Sequence, residues 1–344
     1  MKIAVVGGDG IGVEVIQEGL RVMKQLTPEA ELEQFDLGAE RYLRDGTTMP
    51  SEVMTRWRNE FDAIYLGALG DPRVPSNVHA KEILLGARFQ LDLFINLRPI
   101  KLLDQRRCPL KNKDCDDVNF IVFRENTEGL YTGIGGQFKR GTLDEVAIEQ
   151  EMNTRKGVER IIRAAFAYAN KHGLSKVCMA DKANAMRHGH DLWQRVFKMV
   201  AAEYPNIEAS HLYVDVLSME MVRCPERFEV IVTNNLFGDI VTDLGAILQG
   251  GIGLAASGNI NPSGVSLFEP VHGSAPDIVG KGIANPLAAI LSLGMMYTHL
   301  GRPDLESRIF KAVQDTLLAD QVTPELGGKL RTAEVTDAVL ERLG

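Results

Sequence analysis

The stretch "AVVGGDGIGVEV", residues 4 to 15, runs from β-branched residues through four glycines within six positions into acid and apolar residues at helical spacing. It predicts a strand, a tight turn and a helix. A Rossmann fingerprint requires G-x-G-x-x-G at such a joint, so that bare backbone can approach a pyrophosphate at the helix N-terminus. Gly8 and Gly10 supply the first half, but Val13 stands where the third glycine belongs. The turn therefore has the form of a dinucleotide site that fails at its last element.

Working outward, short β-branched runs alternate with amphipathic segments: "FDAIYLGAL" then "NVHAKEILLGARFQ", "VNFIVFR", "KVCMAD" then "DLWQRVFKMVAAEY", "HLYVDVL", and "FEVIVTN". This alternation predicts an α/β protein with a mostly parallel sheet. "PLAAILSLGMMYTHLG" is apolar nearly all round and reads as a buried helix. At 344 residues there is room for two domains. With 45% apolar and 24% charged residues the chain can bury a sizeable core. The net charge of -8 argues against a nucleic-acid partner or an anionic membrane surface, though it allows a local cationic pocket. The opening "MKIAVVGG" lacks the form of a secretory signal, and no apolar run is of membrane-spanning length, so the expectation is a cytoplasmic protein. Cys108, Cys115, Cys178 and Cys224 show no C-x-x-C spacing and suggest neither zinc nor a disulfide framework.

Chemistry concentrates at a few points. Arg88, Arg98 and Arg124 each sit in an apolar setting where a guanidinium needs a carboxylate or phosphate partner. Each could pair with a structural acid; three together suggest a pocket for a polyanionic small molecule. Lys182, framed by small residues in "MADKANAM", is a candidate base, or else a solvated surface charge. Tyr131 lies in the glycine-flanked "ENTEGLYTG". In "NNLFGDIVTDLG", a helix starting near Gly238 would place Asp239 and Asp243 one turn apart on one face, with Asp215 at the end of the strand "HLYVD" as a third carboxylate. Such a set suits Mg²⁺ or Mn²⁺. Acids at a helix N-terminus are the structural alternative, better for Asp239 than for Asp243. The long loop "FEPVHGSAPDIVGKGIANP", residues 268 to 286, offers backbone amides with His272, Asp277 and Asn285, suited to an adenosine. An acid beside the ribose favours NAD over NADP.

"GDGIG", "LRP", "DKAN", "NLFGDI" and "EPVHGSAPDIVGKGIANP" occur in this order over essentially the whole chain. The sequence thereby resembles the β-decarboxylating dehydrogenases, the isocitrate and isopropylmalate dehydrogenase family. The resemblance implies a two-domain α/β fold with a mixed, mostly parallel sheet that is not Rossmann. Residues 1–98 plus 250–344 would form a discontinuous cofactor domain and 99–249 a substrate, metal and dimerisation domain. It implies that Arg88, Arg98 and Arg124 grip a 2-hydroxy dicarboxylic acid and that Asp215, Asp239 and Asp243 ligate Mg²⁺ or Mn²⁺. Lys182 would take the hydroxyl proton and Tyr131 would protonate the enol. His272, Gly273, Ser274, Ala275, Asp277, Ile278 and Asn285 would hold the adenosine of NAD. A homodimer is implied, with Lys182 and Asp215 reaching into the partner's site.

For the substrate, Leu84 and Leu85 ahead of Arg88 fall where the family's 3-isopropylmalate enzymes meet the isopropyl group. An apolar pair cannot offset the desolvation of isocitrate's third carboxylate. The expectation is oxidative decarboxylation of 3-isopropylmalate in leucine biosynthesis. Tartrate, D-malate and homoisocitrate remain alternatives, because "NTEGLY", Ala185 and Val13 depart from the isopropylmalate pattern. A catalytically silent metabolite-binding protein is the alternative from another class. The joint presence of Tyr131, Lys182 and three carboxylates argues against it.

Overall fold

Strand and helix alternate through most of the chain in the computed structural model, which describes residues 1–344. In chain order the strands are β1 (Lys2–Val6), β2 (Glu31–Gln34), β3 (Ala63–Leu66), β4 (Ile95–Lys101), β5 (Asn119–Glu125), β6 (Gly135–Phe138), β7 (Val146–Glu149), β8 (Lys176–Asp181), β9 (Glu208–Tyr213), β10 (Val230–Thr233), β11 (Ala256–Ile260) and β12 (Ser266–Pro270). Contacts divide the chain into two units. The first comprises Met1–Leu93, Arg98–Val118 and Ala246–Gly344, the second Phe94–Leu97 and Asn119–Gly245.

In the first unit the strands run in the order β2, β1, β3, β12, β11, followed by the end of β4 from Arg98 onward. β1 pairs in parallel with β2 and β3, and β12 in parallel with β3, while β11 lies antiparallel to β12. Strands such as "AIYL" are buried on both faces, which is why they read as continuous apolar runs rather than alternating ones. The helix Ile11–Leu26 buries Ile11, Val15, Ile16, Val22 and Met23, and Leu287–His299 is buried nearly all round, as its composition requires. A core of Met54, Trp57, Phe61, Ile64, Leu66 and Ile83 also takes in the flank of Leu84.

In the second unit β5, β10, β8 and β9 form a wholly parallel set. The helices Arg155–Lys171 and Arg187–Ala201 supply Phe166 and Phe197, whose rings pack at 5.5 Å. β6 and β7 form a separate antiparallel hairpin, exposed along its length. The fold class is α/β with a mixed, mostly parallel sheet, as the sequence indicates.

Three local expectations shift. Residues 99–118, which the resemblance puts in the second domain, pack with the first unit. There the Arg106 and Arg107 side chains reach Asp320 and the main-chain oxygens of Leu317 and Leu326. The strand before Asp215 ends at Tyr213, so Asp215 opens the helix Val214–Arg223 instead of closing a strand. The helix carrying Asp239 and Asp243 starts at Asn235, not near Gly238. Asp239 then lies beyond the first turn, where the macrodipole no longer accounts for an acid.

Candidate active site

The opening turn is explained by its own packing. Gly8 and Gly10 both have positive φ. A Cβ at Gly8 would come within 2.2 Å of the Ala68 carbonyl oxygen, and one at Gly10 within 2.1 Å of that of Ser274. The Ile11 N–H donates to the same Ser274 oxygen at 2.9 Å, and the Gly12 N–H to Asp9 O at 2.9 Å. The glycines thus admit the protein's own backbone, and amides that a Rossmann turn would offer to a pyrophosphate are already satisfied. Turn and loop are clasped together: Gly8, Asp9, Gly10 and Val13 line a cleft of about 400 Å³ with Pro276 and Val279 of the 268–286 loop.

Asp9 has a part that motif reading missed. Its buried carboxylate accepts from the Ala39 and Gly70 amides at 2.6 and 2.7 Å and lies 2.7 Å from His79 Nε2. His79 opens the helical stretch 78–90, which contains a π-turn at Lys81–Leu85 and carries Leu84, Leu85 and Arg88. The opening turn and the helical stretch with the leucine pair are therefore braced through the Asp9–His79 contact.

Within the loop, His272 and Asn285 are buried, whereas Gly273 and Asp277 are exposed and Ser274, Ala275 and Ile278 are half-buried. His272 Nε2 and Asn285 Nδ2 are buried without a hydrogen-bond partner. Burial pushes the His272 imidazole below its ordinary pKa, keeping it neutral. Two buried orphan groups on one loop are a preformed demand for a polar ligand, since leaving them unpaired costs stability.

Arg88 is 4% exposed; its Nε donates to Asn259 Oδ1 at 3.1 Å, and Nη2 lies 3.5 Å from Glu269 Oε1. Asn259 Nδ2 in turn donates to Glu269 at 2.8 Å. Asn259 and Glu269 orient this guanidinium, and Glu269 is the acid of the "EPVHG" motif. Arg98 belongs to the first unit and is also buried.

In the second unit Arg124 is 1% exposed, its Nε and Nη2 donating to Asn235 Oδ1 at 3.0 and 2.8 Å and its Nη1 paired with Asp239. The Tyr131 hydroxyl donates to the other oxygen of Asp239 at 2.8 Å, and the guanidinium lies 5.2 Å from the Tyr131 ring centroid. Arg124, Tyr131 and Asp239 are thus one cluster, with Asp243 one turn along the same helix. Lys182 forms another: its Nζ is 2.7 Å from Asp215 Oδ1 and 5.6 Å from the Tyr213 ring centroid. The Lys182 ammonium holds the Asp215 carboxyl below the usual carboxylate range. Asp215 does not join Asp239 and Asp243: no group of three His, Cys, Asp or Glu residues in one chain is placed to hold a metal ion.

Behind Lys182, Glu151, His190 and Asn234 form a buried network that sequence reading also missed. Burial raises the Glu151 pKa, but hydrogen bonds from His190, Asn153 and Asn234 more than offset this and hold the carboxyl below its ordinary value. No spacing rule links residues so far apart. Asn235, by contrast, was discoverable as part of "NNLFGD".

The fold, the buried arginines, the lysine–aspartate pair and the tyrosine–aspartate cluster agree with the dehydrogenase class to which the comparisons assign the chain. The chain belongs to the isocitrate/isopropylmalate dehydrogenase family, whose model matches residues 2–339. A 3-isopropylmalate dehydrogenase of Corynebacterium jeikeium (strain K411) is 48% identical over 346 residues, covering 100% of both chains. One of Thermobifida fusca (strain YX) is 46% identical over 349 residues, covering 100% of this chain and 98% of the relative. Among solved structures, isocitrate dehydrogenase from Methylococcus capsulatus superposes with a TM-score of 0.91 at 37% identity, covering 99% of each chain.

Proposed function

We propose that this chain catalyses the NAD-dependent, metal-assisted oxidative decarboxylation of 3-isopropylmalate to 2-oxoisocaproate, a step of leucine biosynthesis. The observation that carries the choice of substrate is the placement of Leu84 and Leu85, both half-buried, four and three residues ahead of buried Arg88. An apolar surface there adjoins a carboxylate-binding guanidinium, which favours a branched alkyl group over a third carboxylate. The full-length relatives named for this substrate support it.

In this reading Arg88, Arg98 and Arg124 bind the two substrate carboxylates. Lys182 accepts the C2 hydroxyl proton as the C2 hydrogen departs with its electron pair. The resulting β-keto acid breaks its C–C bond to release CO₂, and Tyr131 protonates the carbon of the enol that remains. His272, Gly273, Ser274, Ala275, Asp277, Ile278 and Asn285 hold the adenosine, and Asp215, Asp239 and Asp243 hold Mg²⁺ or Mn²⁺. When bound, NAD accepts the hydride and the cation polarises the carbonyl toward which the carboxylate's electrons move.

The functional unit is a homodimer in which Lys182 and Asp215 of one copy complete the partner's site. Two observations support this. A single chain keeps Asp215 out of the Asp239–Asp243 set. On Val214–Arg223 the exposed face carries Met219 and Val222 together with Asp215, and on Asn235–Leu248 it carries Ile240 and Ile247 together with Asp243. A second copy covering these apolar faces would bring the carboxylates to the seam. Initial rates with NAD and Mn²⁺ on 3-isopropylmalate, D-malate, tartrate, isocitrate and homoisocitrate test the substrate. Dominant kcat/KM on 3-isopropylmalate is expected; dominance of a smaller or more polar acid would refute the role given to Leu84 and Leu85.

A further inference from the structure

The Lys182 main chain is held by a side chain that no motif contains. Lys182 directly follows β8, and its carbonyl oxygen accepts from the Ala185 and Met186 amides at 2.9 and 2.8 Å. Its N–H donates to His190 Nδ1 at 2.7 Å. His190 lies on the following helix, Arg187–Ala201, and is completely buried. Because Nδ1 accepts, the imidazole proton resides on Nε2, which lies 3.2 Å from Glu151 Oε2 and 3.4 Å from Oε1. Glu151 Oε1 also accepts from Asn234 Nδ2 at 2.6 Å. Asn234 Oδ1 accepts from the Phe237 amide at 2.9 Å, capping the start of the helix that carries Asp239 and Asp243. The Phe237 ring meets the imidazole edge-on, with centroids 5.5 Å apart.

We propose that His190, oriented by Glu151, is the positioning residue for Lys182. It fixes the backbone from which the lysine side chain projects, and it ties that backbone through Asn234 to the aspartate helix. The inference rests on the reading of Lys182 as proton acceptor. The logic is that of an orienting carboxylate fixing the tautomer of an imidazole, here directed at a backbone amide instead of a reacting atom. Without an Nδ1 acceptor the half-buried Lys182 N–H loses its partner beside a fully buried ring, and the turn must rearrange to satisfy it. A displacement of the lysine by about an ångström is enough to slow proton transfer by about two orders of magnitude while leaving the arginine grip on substrate untouched.

The test compares His190→Asn, His190→Gln and His190→Leu in the full-length enzyme, with Lys182→Met alongside. Asn places an amide oxygen near the Nδ1 position, whereas Gln reaches toward Nε2 and leaves the lysine amide unpaired. His190→Leu and His190→Gln are expected to lower kcat by about 10- to 100-fold with KM for substrate and NAD changed less than about 3-fold. His190→Asn should recover to within about 5-fold of the parent kcat. If His190→Leu does not fold, the Asn and Gln variants decide. A Gln variant at least as active as the Asn variant, or a Leu variant with parental kcat, overturns the proposal. Lys182→Met separates the two levels: it should abolish turnover while preserving dimerisation and NAD binding. Retained turnover there would remove Lys182 as acceptor and the positioning role with it; abolished turnover with unaffected His190 variants would overturn the positioning role alone.

Discussion

Asp277 is an exposed acid in the loop that also carries the buried, unpartnered His272 Nε2 and Asn285 Nδ2, proposed above to hold the adenosine. A carboxylate there accepts from a free ribose 2′-hydroxyl and repels a 2′-phosphate. The enzyme should therefore prefer NAD over NADP in kcat/KM by about 100-fold, and Asp277→Asn should narrow that preference by about 10-fold or more, since like-charge contacts cost several kcal/mol. Equal kcat/KM for the two cofactors would contradict the role given to Asp277. At this scale the sequence was informative wherever each member of a pair lay in a motif of its own, even when the two stand 111 positions apart as Arg124 and Asn235 do. Arg124 and Asn235 each lie in a recognisable stretch, as do Arg88 and Glu269. Glu151 and His190 were illegible because their pairing is made by tertiary packing across 39 positions and leaves no periodic trace.

At the scale of elements, the helix Pro303–Leu318 buries most of a carboxyl against the apolar helix Leu287–His299. Glu306 accepts from Thr298 Oγ1, yet burial raises its pKa above the ordinary 4.5. A carboxyl whose folded value is raised holds its proton more tightly when folded, so its ionisation lowers stability as pH rises through the window above 4.5. Glu306→Gln keeps an acceptor for Thr298 without the charge and should raise the thermal midpoint at pH 7 by about 1 to 2 °C. The gain should vanish below about pH 4.5. A lower midpoint at pH 7 would show that the hydrogen bond to Thr298 outweighs the desolvation. The alternation of strands and helices was legible because buried parallel strands and amphipathic helices have distinct periods. The β11–β12 pair escaped because "ASGNI" and "SLFEP" carry glycine, asparagine and proline that read as loop. The β6–β7 hairpin escaped because it is exposed throughout and has no core face to pattern it.

For the whole molecule, the separation of Lys182–Asp215 from Arg124–Tyr131–Asp239 in one chain is the feature on which the proposed dimer turns. Sequence motifs could list these residues but not allot them to copies, because allotment depends on which surfaces pair. Met219, Val222, Ile240 and Ile247 are among the apolar side chains that the fold leaves exposed, and they flank Asp215 and Asp243. The most direct measurement is subunit complementation on 3-isopropylmalate with NAD and Mn²⁺. Lys182→Met and Asp243→Asn chains, each inactive alone, are co-expressed and assayed together. Random pairing makes about half of the dimers mixed, each with one intact site of two, so about a quarter of the parental activity should return. A mixture no more active than its separate components would contradict a site built from two copies.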